Sequence, residues 1–264
     1  MLILAISLAP ILFVFTFIYL KDKYEREPLI YLIFTFILGM LICYPVVFLG
    51  DQISIFTGWN SRSQGFALAG YAIFVVALVE EGMKYAIVRI FNYNREEFDE
   101  PYDGIMYCVS ASLGFAAIEN ILYVSESNDP LNLALLRTFT AVPAHGIFAT
   151  TMGFYIGRAK FMTSDVQATL EHIKGVSLAV LFHGMYDYFL FAEWEWLALV
   201  AFVLLAVNGI VALRAIQIHE GHSPHRFEQR SSPDEMVRLD EAAQEESNLP
   251  QQETHIDDES PFKL

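Results

Sequence analysis

Residues 66–90 read FALAGYAIFVVALVEEGMKYAIVRI. The first fourteen carry no charge; Glu80, Glu81 and Lys84 then fall within five positions before apolar residues resume. As an α-helix rising 1.5 Å per residue the segment is about 38 Å long, enough to cross a hydrocarbon core of about 30 Å. A soluble helix would carry one apolar stripe with charges opposite it. Here apolar residues occupy every face ahead of Glu80. The segment reads as a membrane-spanning helix with three ionisable groups embedded in it.

The same block pattern repeats on either side. The chain has 264 residues, 55% of them hydrophobic, and a mean hydropathy of +0.39. Seven spans can be drawn: Leu2–Leu20, Leu29–Leu49, Phe66–Ile90, Gly104–Val124, Leu131–Ile156, Val176–Ala192 and Trp196–Ile218. In lipid the backbone must satisfy its own hydrogen bonds, so these are expected as helices. The expected fold is an all-α polytopic transmembrane bundle in residues 1–218, with its motif-bearing core at 66–192. The first span lacks a basic leader and is followed at once by Lys21, Lys23 and Arg26, so it reads as a retained anchor rather than a signal peptide. Trp194 and Trp196 at a span boundary read as aromatic belt.

Loop charges set the orientation. Basic residues gather after spans one, three and five (Lys21, Lys23, Arg26; Arg89, Arg95; Arg158, Lys160, Lys174), whereas the alternate loops hold only Arg62, with Arg137 just inside a helix. The positive-inside rule puts the N-terminus outside and the C-terminal tail in the cytoplasm. The net charge of −15 comes largely from that tail: residues 219–264 hold twelve acidic and four basic side chains and little apolar content. The tail is expected to be disordered and solvating. Nothing is basic enough to bind nucleic acid. Cys43 and Cys108, on separate spans, read as small hydrophobes and make no metal motif.

Lipid penalises an ionisable group at its centre by roughly 2.5–3.5 kcal/mol, so such a group usually marks a pathway or a site. Besides Glu80, Glu81 and Lys84, the spans contain Glu119 and Asn120, His145, and His183 with Asp187. Counted from the cytoplasmic ends, Lys84 lies at about 9 Å, Glu80 at about 15 Å, Glu119 at about 22 Å, His145 at about 18 Å, His183 at about 10 Å and Asp187 at about 17 Å. Four helices thus bring polar groups into one slab, where they are expected to meet. Glu80 with Lys84, His183 with Asp187, and Phe115 with Glu119 are each spaced i, i+4 and share a face. Glu81 is rotated about 100° from Glu80, so the two carboxylates should not reach one atom. One is expected to face the reacting centre and the other to pair with Lys84 or a neighbouring helix.

These groups suit the activation of water. A partly buried glutamate can act as a general base, and a histidine can orient the water or stabilise an oxyanion. No serine or cysteine stands in a nucleophile setting, which disfavours a covalent route.

The motifs resemble those of the PrsW family of intramembrane proteases, related in layout to the CAAX prenyl proteases. The resemblance rests on Glu80-Glu81-x-x-Lys84, on Gly114-Phe115-Ala116-Ala117-Ile118-Glu119-Asn120, on Arg137 followed by His145, and on His183-x-x-x-Asp187, with Asp103-Gly104 ahead of the second motif. It implies cleavage of a single-span membrane protein, such as an anti-sigma factor, in a bacterial cell membrane. It further implies Glu80 as base, with Glu119 or His145 holding the water and His183 and Asp187 stabilising the oxyanion. Where a CAAX protease commonly has a His, this chain has Glu119. Lys84, Asn120 and Arg137 would support the site.

No cofactor is expected on this reading. The main rival is a zinc-dependent version of the same enzyme, with Glu80, Glu119, His145 and His183 as ligands, although no His-Glu-x-x-His helix is present. A proton-coupled transporter is a second rival, because Glu, His and Asp also build proton relays. Each motif has a plainer reading too: an ion pair of the glutamates with Lys84, interhelical hydrogen bonding at Glu119-Asn120, packing at His145, and an interfacial anchor at Arg137.

Overall fold

The computed structural model describes residues 2–23, 25–192 and 194–221; of the tail drawn at 219–264 and expected to be disordered, residues 219–221 complete the last helix and the rest lies outside the described residues. The described residues form eight helices and no strand: α1 (Leu2–Lys21), α2 (Leu29–Thr57), α3 (Gly65–Asn92), α4 (Pro101–Glu126), α5 (Pro130–Phe139), α6 (Ala141–Lys160), α7 (Asp165–Phe191) and α8 (Glu195–Gly221). Four are long and apolar enough to cross a membrane: α2, α3, α4 and the part of α8 from Trp196. The surface agrees with that setting. Phe13, Tyr44, Ile55, Phe56 and Phe66 are each more than two-thirds exposed, a cost in water and none in lipid.

Local chemistry sets the boundaries. Helix α2 ends at Gly58, whose φ of 73° closes the helix in the left-handed conformation that glycine adopts freely. Helix α4 starts with Pro101 and a capping box between Glu100 and Asp103. Helix α3 is continuous but widens to π-helical turns at Tyr71–Ala77 and Val88–Asn92, on either side of the charged turn.

The fifth span drawn from the sequence is not one helix. It breaks at Thr140 (φ −123°, ψ −77°) into α5 and α6. The cause lies in the sequence: Pro143 has no N–H to continue a helix through Phe139, but fits the first turn of a new one. At the other end of this region, α7 starts at Asp165, eleven residues ahead of the sixth span as drawn, with Ser164 as its cap.

Helix α4 is the hub. Its residues 101–117 are all buried, between α2 on one side and α6 on the other. The α4–α6 contact is made by glycines: a Cβ on Gly153 would stand 2.4 Å from the Gly104 carbonyl oxygen. Backbones this close leave no room for a side chain, and they fix the depth of α6, hence of His145, against α4.

Candidate active site

Each residue singled out from the sequence as reactive is drawn into one buried cluster, and its centre is a lysine. Lys84 is 2% exposed. Its Nζ donates to Glu80 Oε2 at 3.1 Å and to Glu81 Oε1 at 2.9 Å, and stands 3.2 Å from His145 Nδ1. The aromatic face of Phe115 lies 4.3 Å beneath the ammonium. The expectation that the two glutamates could not reach one atom therefore fails. Glu80 and Glu81 do diverge on the helix, but the long Lys84 side chain, i+4 from one and i+3 from the other, spans the angle between them.

Lys84 also fixes a tautomer. An ammonium has no acceptor, so His145 Nδ1 must accept from it and the ring hydrogen sits on Nε2. That Nε2 is 3.0 Å from Glu119 Oε2, to which it donates. The same Glu119 oxygen receives Arg137 Nη2 at 2.6 Å. The anchor reading of Arg137 gives way here: its Nε donates to Asn120 Oδ1, so the guanidinium spans Glu119 and Asn120. Asn120 Nδ2 donates to the Ser7 carbonyl at 3.1 Å, tying this arm to α1. Asn120 thus holds Arg137 and does not line either cavity described below.

On α7, His183 Nδ1 lies 2.9 Å from Glu81 Oε1 and its Nε2 lies 3.3 Å from Asp187 Oδ2 and 4.0 Å from Glu80 Oε2. A ring facing a carboxylate at each nitrogen donates from both only as an imidazolium. Phe148 stacks on it, ring centres 5.2 Å apart. Lys84 and Arg137 supply two fixed positive charges beside the four carboxyl groups of the cluster.

Two cavities adjoin the cluster. One, of about 180 Å³, is lined by Glu119, Arg137, His145, His183 and Asp187. The other, of about 310 Å³, opens between α2, α3 and α4 and is lined by Glu80, Glu119 and Asp51 among others. Glu119 and Tyr123 border both. Glu81 and Lys84 border neither. Phe148 and Tyr123 were not singled out from the sequence. Their signal was helical spacing, at i+3 from His145 and i+4 from Glu119.

The four residues expected to bind zinc do not form the compact donor set. Among the described residues that set is Glu80, Glu81 and His145, whose ligand atoms lie within 4.8 Å of one another. Two carboxylates and an imidazole are donor types that zinc accepts. The point they share, however, is taken by the Lys84 ammonium, within 3.2 Å of all three. With Lys84 placed so, these residues do not fit a metal ion.

A family described as PrsW family intramembrane metalloprotease matches residues 27–213. Curated relatives named Protease PrsW from Geobacillus kaustophilus (strain HTA426) and Clostridioides difficile (strain 630) are each 34% identical, over 223 and 225 residues, covering 84% of this chain and 93% of each relative. Another from Oceanobacillus iheyensis is 39% identical over 188 residues, 71% of this chain and 82% of the relative. No solved structure matches.

Proposed function

Since the chain belongs to the PrsW family of intramembrane proteases, we propose that it hydrolyses a peptide bond in or beside the membrane-spanning segment of a single-span membrane protein, an anti-sigma-factor-like substrate, with Glu80 as general base toward a water. The observation that carries this reading is the convergence of Glu80, Glu119, His145, His183 and Asp187 from four helices around Lys84, at cavities that Glu80 and Glu119 border.

The two adjacent glutamates take different roles by access. Glu80 faces a cavity and can meet a water; Glu81 is fully enclosed between Lys84 and His183 and positions both. Glu119, held by Arg137 and by His145 Nε2–H, bounds the water from the opposite side. When the water attacks, its proton passes to Glu80, and negative charge develops on the carbonyl oxygen. His183, held at Nδ1 by Glu81, turns its Nε2–H from the longer Asp187 contact toward that oxygen. The protonated Glu80 then returns the proton to the leaving amine. The family description carries a metal; no step here is routed through one, because Lys84 supplies the positive charge at the point the donors share.

We place loops 22–28, 93–100 and 161–164 in the cytoplasm, on the strength of the basic residues in and beside them: Lys21, Lys23 and Arg26, then Arg89 and Arg95, then Arg158, Lys160 and Lys174. The chain is an integral membrane protein, and the reaction cluster then lies toward the outer end of α4, α6 and α7.

The test is cleavage of a single-span substrate by purified protein in liposomes. Glu80→Gln, Glu81→Gln and His183→Ala should each slow cleavage by about 10²-fold or more. Full activity in all three would refute the assignment.

A further inference from the structure

The loops joining α1 to α2 and α3 to α4 meet at the same end of the bundle and bring together more carboxylates than the reaction needs. Asp22, Glu27, Glu100 and Asp103 are each 3% exposed or less. Two have structural work: Asp103 Oδ2 accepts from the backbone N–H of Asp99 (3.0 Å) and of Glu100 (2.7 Å), capping α4 with Glu100. Glu27 accepts from Tyr107 at 2.6 Å through one oxygen, but its Oε1 has no donor; Asp22 lies outside the cleft, with the Glu27 backbone N–H beside its carboxyl. Burial and neighbouring negative charge push the Asp22 carboxyl up to about 8 and the Glu27 carboxyl up to about 7.

Glu27 borders a cavity of about 290 Å³ that it shares with Glu25, Glu96, Glu97, Asp99 and Asp103. Arg26 is the one cation in its wall, and its Nε is engaged by the Asp22 carbonyl at 3.2 Å. Nearby cations are engaged too: Lys23 with Glu220 at 3.1 Å, Lys160 with the Tyr93 carbonyl at 2.6 Å, and Arg95 with Glu97 at 3.5 Å. Six acidic side chains and one basic side chain line the cleft, so its wall is predominantly acidic. Its carboxylates are too spread to chelate: among the described residues only Glu80, Glu81 and His145 bring three ligand atoms within metal-binding reach. A long cation that can reach in from the membrane boundary suits it better.

We infer that this cleft is a docking site for the Lys or Arg side chains flanking the cytoplasmic end of the substrate's membrane span. The inference rests on the protease reading and the topology given above. A single-span protein carries its basic residues on that side. Asp103 in the cleft and Glu119 in the reaction cluster lie on one helix, sixteen residues apart, a rise of about 24 Å. A substrate gripped at its basic flank would thus present its scissile bond about 24 Å deeper, about sixteen residues on if the segment between is helical. The cleft serves as a ruler.

The experiment uses a single-span peptide with three flanking Lys residues, its Gln counterpart, and a third peptide with the Lys block moved by four residues, each with full-length protein in liposomes. Cleavage kinetics and equilibrium binding by fluorescence anisotropy are both read. Expected are a KM about tenfold lower for the Lys peptide with kcat unchanged, loss of that preference in Glu25→Gln/Glu96→Gln/Asp99→Asn, and a cleavage position that moves with the Lys block. These three side chains are exposed, so folding should be intact. Equal KM and equal binding for the Lys and Gln peptides would overturn the docking site while leaving the protease reading standing. Lys-dependent binding without cleavage of any peptide would do the reverse.

Discussion

Replacing Lys84 with Met keeps the reach of the side chain and removes its charge. In the native site Nζ holds Glu80, Glu81 and His145 at 3.1, 2.9 and 3.2 Å, with the lysine 2% exposed. Without it two buried carboxylates have only His183 as a cation, and His145 Nδ1 loses its donor. Removing one partner of a buried ion pair costs about 3–5 kcal/mol, because the other charge is left uncompensated. At about 2–4 °C per kcal/mol for a chain of this size, the melting temperature in detergent should fall by about 6–20 °C. Adding Glu81→Gln to Lys84→Met removes one orphaned charge and should recover about half of that loss. Cleavage should not recover: both variants lose about 10²-fold or more, since nothing then enforces the Nε2–H tautomer of His145 facing Glu119. Scanning fluorimetry and initial rates on a single-span substrate read the two effects separately. A Lys84→Met protein that melts within about 2 °C of wild type and cleaves normally would sink the lysine-centred site.

Exhaustive chelation should leave wild-type cleavage unchanged, whereas Lys84→Ala, by freeing Glu80, Glu81 and His145, should gain Zn²⁺ binding measurable by competition with a chromophoric chelator. Loss of wild-type activity on chelation, restored by zinc, would mean that a metal displaces Lys84. Thermal stability should decline between about pH 4 and pH 8. Asp22 and Glu27, raised to about 8 and about 7 by burial and by the nearby charges of Glu100, Asp99 and Glu97, hold protons in the folded chain that the unfolded chain has already released. Their contribution is complete below the ordinary carboxyl values of 3.8 and 4.5 and is lost as pH rises from there to about 8 for Asp22 and about 7 for Glu27, by at most about 1.4 kcal/mol per pH unit for each group. Asp22→Asn/Glu27→Gln should flatten the profile; a wild-type profile that is already flat contradicts the assignment.

The membrane fold and the members of the buried polar cluster are legible in the sequence because lipid makes polar residues conspicuous. Glu80, Glu119, His145 and His183 stand out against apolar runs, and helical spacing correctly paired Glu80 with Lys84 and His183 with Asp187. What spacing could not show was reach. The angular separation of Glu80 and Glu81 is real, yet a flexible lysine bridges it and brings both carboxylates to one atom. Arg137 illustrates another limit: at a helix end it looks like an interfacial anchor, and only the α4–α5 turn brings it to Glu119. The break at Thr140 was written in Pro143 but masked by the hydropathy of the segment around it. The acidic cleft leaves little mark in the sequence, because its carboxylates are divided between two loops that also hold basic residues.

The pairing pattern also bears on how the chain enters the bilayer. Helix α3 carries its own neutralising set, since Lys84 is within one turn of both Glu80 and Glu81. It can therefore leave the translocation machinery before any neighbour is present. Helix α4 has no such internal partner for Glu119, whose cation arrives eighteen residues later on α5. Arg137 must be made before α4 can settle at low cost, so α4 and α5 are expected to insert as a hairpin, with the buried cluster complete once that hairpin meets α3 and α7.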